Sequence, residues 1–198
     1  MKVSTFHLSF PKVGETVSGD TAVIRIEDGV TLLAVVDALG HGHLAAPVAD
    51  RGRAFLEQVP LHGDALTVTE GLHDALRGTR GAAAMCVVVR GNHLTGCGVG
   101  NVELRATRTR VPVVLTPGIL GVSLRRPRRF ESTLSSAGRL LIFSDGISPR
   151  MDLDRVDRLP PEPACRALVE RYRRNHDDAT LLVADLHATA VDFATPQR

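Results

Sequence analysis

A chain of 198 residues is long enough to bury a sizeable core and short enough for one domain, or two small ones. With 43 % apolar and 23 % charged residues and a net charge of +2, it has an ordinary soluble globular composition. It lacks the strongly basic balance, and at 4 % aromatic the stacking residues, expected of a nucleic-acid- or membrane-binding protein.

Cys86, Cys97 and Cys165 are scattered and fit neither a disulfide framework nor a metal-ligand spacing, which points to a reducing, cytoplasmic setting. No signal-peptide pattern opens the chain, and the longest apolar run, residues 82–89, is too short to span a bilayer. Repeats, low-complexity segments and linkers are absent. The chain reads as one domain over residues 1–198, with its core at about 3–187 and a short tail without periodicity.

Residues 21–26 and 31–36 read as strands around Glu27-Asp28-Gly29-Val30. Asp-Gly between two apolar runs implies a two-residue hairpin turn with positive φ at both central positions. Glu27 then faces Val30, and counting outward places Asp20 opposite Asp37, with Cβ atoms about 4.5–5.5 Å apart. Two like charges so opposed repel unless something positive lies between them, and a divalent cation is the economical reading. Asp37 taken alone reads equally as a cap for the helix that follows.

After the glycine-punctuated loop Gly40-His41-Gly42-His43, helical spacing runs over residues 44–58. Leu44, Val48, Phe55 and Val59 form one stripe, with Ala45, Ala49, Gly52 and Leu56 beside it. Pro47 fits only in the first turn, and Pro60 ends the helix. A second helix is predicted over 64–77, with Leu66, Leu72 and Leu76 inward.

Strands then follow over 83–90 and 93–98 around Gly91-Asn92, over 102–107 and 111–115, and as a pair over 130–134 and 139–143. A helix over 162–173 and a strand over 179–186 complete the pattern. Strands joined by short turns imply antiparallel sheets, with the helices covering the outer faces of a two-sheet sandwich.

Arg139-Leu140-Leu141-Ile142-Phe143-Ser144-Asp145-Gly146 repeats the pattern of a buried strand ending in Asp, and His176-Asp177-Asp178 leads into the last strand. In antiparallel neighbours a strand start lies beside a strand end, so Asp20 and Asp177 can meet Asp37 and Asp145 along one edge. Such oxygen ligands suit Mg²⁺ or Mn²⁺ rather than zinc. Each Asp by itself also reads as a solvated loop end.

Ser18-Gly19-Asp20, Asp37-Ala38-Leu39-Gly40-His41-Gly42, Ser144-Asp145-Gly146 and Asp177-Asp178-Ala179-Thr180 resemble, in order, the motifs of metal-dependent type 2C protein phosphatases. The resemblance covers residues 18–186 and is to the bacterial branch that includes SpoIIE, RsbU and RsbX. The small lone domain is most similar to the RsbX type, and Gly98-Val99-Gly100-Asn101-Val102 and Pro117-Gly118-Ile119-Leu120-Gly121 also look like that subgroup.

The resemblance implies an α+β fold, a four-layer αββα sandwich of two mainly antiparallel sheets flanked by helices, with two metal ions (Mn²⁺ or Mg²⁺) at one edge. It implies that Asp37 bridges the ions, the Ala38 carbonyl and Asp20 serve one of them, and Asp145 and Asp177 serve the other. Asp178 then orients the attacking water, though it and Asp177 could exchange roles. The implied catalytic residues are Asp37, Asp145 and Asp178.

The implied activity is hydrolysis of phosphoserine or phosphothreonine on stress-signalling proteins, a stressosome-like scaffold or an anti-sigma antagonist. A non-catalytic partner-binding relative and a hydrolase of a small phosphomonoester are the alternatives. His41 lies four residues after Asp37 rather than the family's two, and no phosphate-binding arginine is recognisable; Lys12 is a candidate in its place. The runs Arg105/Arg108/Arg110, 125–129 and Arg166/Arg171/Arg173/Arg174 read as solvated faces, with docking of an acidic partner as the functional alternative.

Overall fold

The computed structural model describes residues 1–187, so the aperiodic tail lies outside the described residues. The chain opens with β1 (Lys2–Phe10), a strand not expected from the sequence. Its signal is the alternation Phe6-His7-Leu8-Ser9-Phe10, whose three apolar residues all pack into one core layer.

β2 (Asp20–Glu27) and β3 (Val30–Ala38) form the predicted hairpin. Asp28 and Gly29 both have positive φ, 49° and 77°, and the pairing runs from Glu27↔Val30 out to Asp20↔Asp37. A 3₁₀ turn over Gly42–Leu44 leads into α1 (Ala46–Gln58), with Pro47 in its first turn. α2 (Ala65–Ala75) is capped by Asp64, whose carboxylate accepts the Thr67 amide at 3.0 Å.

β4 (Ala82–Arg90) and β5 (His93–Val99) are joined by the Gly91-Asn92 turn, and β6 (Glu103–Thr107) follows. Residues 111–114 are not the strand expected. Pro112 has no amide to give a ladder, the Val113 amide turns back to the Val111 carbonyl, and only β7 (Leu115–Thr116) pairs, parallel to β5. A small flap, β8 (Gly118–Ile119) and β9 (Ser123–Leu124), precedes β10 (Arg129–Thr133) and β11 (Gly138–Phe143).

β10 and β11 were expected to pair with each other and do not. β10 pairs with β5, β11 pairs with β6 and with the last strand, and residues 134–137 cross between the sheets. Phe130 and Leu134 thus face Leu140 and Ile142 across the sandwich, a burial that a local hairpin would not provide. α3 (Pro161–Tyr172) and β12 (Ala179–His187) end the described chain.

The sheets are ordered β1-β12-β11-β6 and β10-β5-β4-β3-β2. Three apolar layers hold them. Leu56, Val68 and Leu72 lie against Leu32, Ala34 and Val36; Leu33, Val35, Met85, Leu140, Ile142 and Leu182 fill the space between the sheets; Cys165 and Leu168 pack on Leu141, Phe143 and Leu181. Both faces of β3, β4, β11 and β12 are therefore covered, which is why these strands read as unbroken apolar runs. The architecture is the expected αββα sandwich. No described helix is long and apolar enough to cross a membrane, and the three cysteines are buried and free.

One buried charge organises the chain before α3. Arg139, 1 % exposed, donates to both Asp185 carboxylate oxygens at 2.7 and 2.8 Å and to the carbonyls of Val156 and Leu159. Asp185→Ala strands this guanidinium and is expected to cost about 3–5 kcal/mol of unfolding free energy, measured by urea titration. A loss below about 1 kcal/mol, the range of an exposed pair, would contradict that reading.

Candidate active site

The hairpin register carries Asp20, at the first position of β2, directly opposite Asp37 near the end of β3. Asp20 is buried, Asp37 half-buried. Asp145 follows the end of β11 in the other sheet, and Asp177 and Asp178 precede β12. The antiparallel pairing of β11 with β12 brings these last residues side by side.

A hydroxyl ties the two sheets together at this edge. Ser144 donates to Asp20 Oδ2 at 2.5 Å, while Ser144 Oγ accepts the Thr180 amide and the Ser144 amide donates to the Thr180 carbonyl. A Cβ on Gly146 would run into the Asp178 carbonyl, so only glycine lets the turn after β11 lie against the start of β12. Asn101 donates to Asp145 Oδ2 at 2.7 Å, and Arg174 fixes the same turn through the Asp145 and Gly146 carbonyls.

Asp178 is occupied differently. Its carboxylate is 3 % exposed and accepts the Lys12 amide at 2.7 Å and the Gly19 amide at 2.6 Å. Both oxygens are thus engaged by backbone, which suits a role in holding the 12–19 loop. Asp177 is the more open of the pair.

Burial, followed by repulsion from Asp20, Asp145, Asp177 and Asp178, pushes Asp37 up to about 9. Asp20 is pushed up to about 7, mainly by burial and against the Ser144 hydrogen bond. Asp145 is also raised, first by burial and then by Asp177. Among the described residues none of the five carboxylates forms an ion pair.

His41 lies at the rim, with Nδ1 2.9 Å from Glu15 and Nε2 2.9 Å from Lys12 Nζ. An ammonium only donates, so Nε2 accepts and Nδ1–H serves Glu15, a tautomer assigned from the partners. His43 contacts only Thr16. Lys12 lies two residues past the end of β1, outside any strand, and reaches this rim. Ser144, Asn101 and Glu15 support the site through contacts between distant parts of the chain; Ser144 and Asn101 lay in motifs singled out from the sequence, and Glu15 lay in none.

The basic runs lie mostly on exposed surface, where several of their arginines find local partners. Arg108 bridges Asp157 and Asp185, Arg129 joins Asp64 and Glu131, Arg166 pairs with Glu162, and Arg173 donates to the Pro11 carbonyl.

No family model matches the chain. It is 23 % identical over 151 residues to the phosphoserine phosphatase RsbX of Bacillus subtilis (strain 168), spanning 74 % of this chain and 75 % of that one. A solved structure from work on the bacterial stressosome, a modular system adapted to control secondary messenger signalling, is 30 % identical with a TM-score of 0.86; the match covers 93 % of this chain and all of that one. RsbX in complex with magnesium superposes with a TM-score of 0.80 at 21 % identity, over 93 % and 95 % of the two chains. The chain belongs to the type 2C protein phosphatases, in the RsbX branch. The catalytic domain of the serine/threonine protein phosphatase PstP, solved with two manganese ions, shares the fold at 16 % identity, with a TM-score of 0.72 over 93 % and 98 % of the chains.

As a type 2C enzyme the protein is a metal-dependent serine/threonine phosphatase, and its residues fit that dependence. Side chains as they stand form no ready cage of three ligands among the described residues. The donors are nonetheless all hard oxygens on one edge, mutually repelling and without an ion-pair partner among the described residues, the setting that Mg²⁺ or Mn²⁺ satisfies.

A carboxyl raised in the folded state favours folding while protonated and loses that contribution as pH climbs through its folded value. In chelator, the unfolding midpoint should therefore fall from about pH 5 to about pH 9, more steeply than in Asp37→Asn. Added Mn²⁺ should flatten the wild-type slope. Identical slopes for the two proteins in chelator would show that Asp37 carries no such penalty.

Proposed function

We propose that the protein hydrolyses phosphoserine or phosphothreonine on regulatory proteins of a bacterial stress-signalling assembly, a stressosome-like scaffold or an anti-sigma antagonist. In this reading two divalent cations are held by Asp20, Asp37, Asp145, Asp177 and the Ala38 carbonyl. The observation that carries it is the register-paired Asp20 and Asp37, facing carboxylates from the second sheet with no ion pair among the described residues. RsbX, a phosphoserine phosphatase, and the stressosome structure support the class of substrate.

Bound cations would acidify water for attack and neutralise charge on the phosphoryl oxygens. The protein's share is positioning. Asp37 interacts with the other four carboxylates and suits a bridging place. Ser144 fixes one oxygen of Asp20, and Asn101 fixes one oxygen of Asp145. Asp178 acts through the loop it anchors. Lys12, held at its amide by Asp178 and at its ammonium by His41, offers its remaining protons to an anionic oxygen at the rim.

The purified protein is expected to hydrolyse an aryl phosphate with Mn²⁺ or Mg²⁺ and not in chelator. Asp37→Ala and Asp145→Ala should each lose several kcal/mol of transition-state stabilisation, roughly 10²–10³-fold in rate, while circular dichroism stays native. Unchanged turnover in either variant would overturn the ligand assignment. A phosphoprotein should exceed the aryl ester in kcat/KM; the reverse order would favour a small phosphomonoester as substrate.

A further inference from the structure

Leu44, expected on the inner stripe of the first helix, is instead 73 % exposed. The buried stripe of α1 is Val48, Ala49, Gly52 and Leu56, and Leu44 ends the 3₁₀ turn before it. With Pro47, Val48, Arg51, Thr79 and Arg80 it lines a cleft of about 530 Å³.

Two features separate this cleft from an ordinary exposed patch. Its lining has two arginines and no acidic residue. The neighbouring Arg53 and Arg77 pair with Asp50 and Asp74, whereas Arg51 and Arg80 form no ion pair among the described residues. The cleft also adjoins the carboxylate edge. Arg80 Nη1 lies 3.0 Å from where a Cβ on Gly40 would stand, three residues beyond Asp37, and the Leu39 amide bonds to the Gly81 carbonyl at 3.0 Å.

We propose that this cleft is a specificity site for the protein substrate, taking an acidic segment that flanks the phosphorylated residue. Carboxylates of that segment pair with the forked guanidinium groups of Arg51 and Arg80, and an aliphatic side chain covers Leu44 and Pro47. Charge complementarity selects this occupant, because a basic or neutral segment would leave both arginines unmatched. The proposal rests on the phosphoprotein reading and adds which sequence context that reading prefers.

The test uses the full chain with Mn²⁺ and three substrates: an aryl phosphate, a phosphoserine peptide with Asp and Glu flanks, and the same peptide with Lys flanks. Wild type should prefer the acidic peptide over the basic one by about tenfold or more in kcat/KM, the order of effect of one or two complementary charge pairs. Arg51→Glu and Arg80→Glu should remove or reverse that preference and leave aryl phosphate hydrolysis within about twofold, because the small ester does not reach the cleft. Arg51→Gln, a milder change at an exposed position, should lose part of the preference with the fold intact.

A wild type that hydrolyses the aryl phosphate without discriminating between the peptides would overturn the docking site alone. Variants that lose aryl phosphate and peptide hydrolysis in parallel would overturn it too, placing Arg80 at the reacting phosphate. Absence of metal-dependent hydrolysis of all three substrates by wild type would remove the phosphatase reading and the docking site with it.

Discussion

Repulsion between Asp20 and Asp37 is the constraint from which the rest of the structure follows. Two carboxylates face each other at the end of a hairpin, in a buried setting, with three more arriving from the second sheet and, among the described residues, no ion pair to any of them. Left alone, such a cluster destabilises the folded chain. It persists because three apolar layers fix the strands that carry it, and because most of its members have a local donor: Ser144 for Asp20, Asn101 for Asp145, and two backbone amides for Asp178. What those donors do not supply is positive charge, and a divalent cation does.

The αββα arrangement explains how five carboxylates from four separate stretches reach one place. In each sheet the start of one strand lies beside the end of its antiparallel neighbour, β2 against β3 and β12 against β11. Stacking the sheets aligns these two junctions, and the Ser144–Asp20 bond closes the gap between them. The Gly146 turn and the Arg139 anchor further back hold the second sheet's contribution without adding side chains to the edge itself.

What could be read from the sequence divides along locality. The Asp28-Gly29 turn fixes its own register, so the Asp20–Asp37 pairing was deducible from the eight residues on either side of it. Apolar runs ending or beginning in Asp marked the other strand junctions, and capping and proline signals placed the helices to within a residue or two. The failures involve partners far apart in the chain. β1 is held by β12, at the other end of the described residues, and its half-polar pattern carried only a weak signal. β10 and β11 looked like a hairpin because they are adjacent, whereas packing across the sandwich sends them to opposite sheets.

The same holds for side chains. Arg139 gave no sign of burial, because its partner Asp185 is 46 residues away. The arginine runs at 105–110 and 125–129 read as solvated faces and are largely exposed; what the sequence did not show is that Arg108 and Arg129 make ion pairs on that surface. Arg51 and Arg80, without an ion pair among the described residues, stood out in no run at all. Leu44 fitted a helical period that begins only after it.

The account's central claim is that cations bind at the carboxylate edge, and anomalous diffraction from crystals soaked in Mn²⁺ tests it most directly. The account predicts two anomalous peaks flanking Asp37, one toward Asp20 and one toward Asp145 and Asp177, both weakened or lost in Asp37→Asn. Full aryl phosphatase activity in Mn²⁺ with no peak at this edge would contradict it.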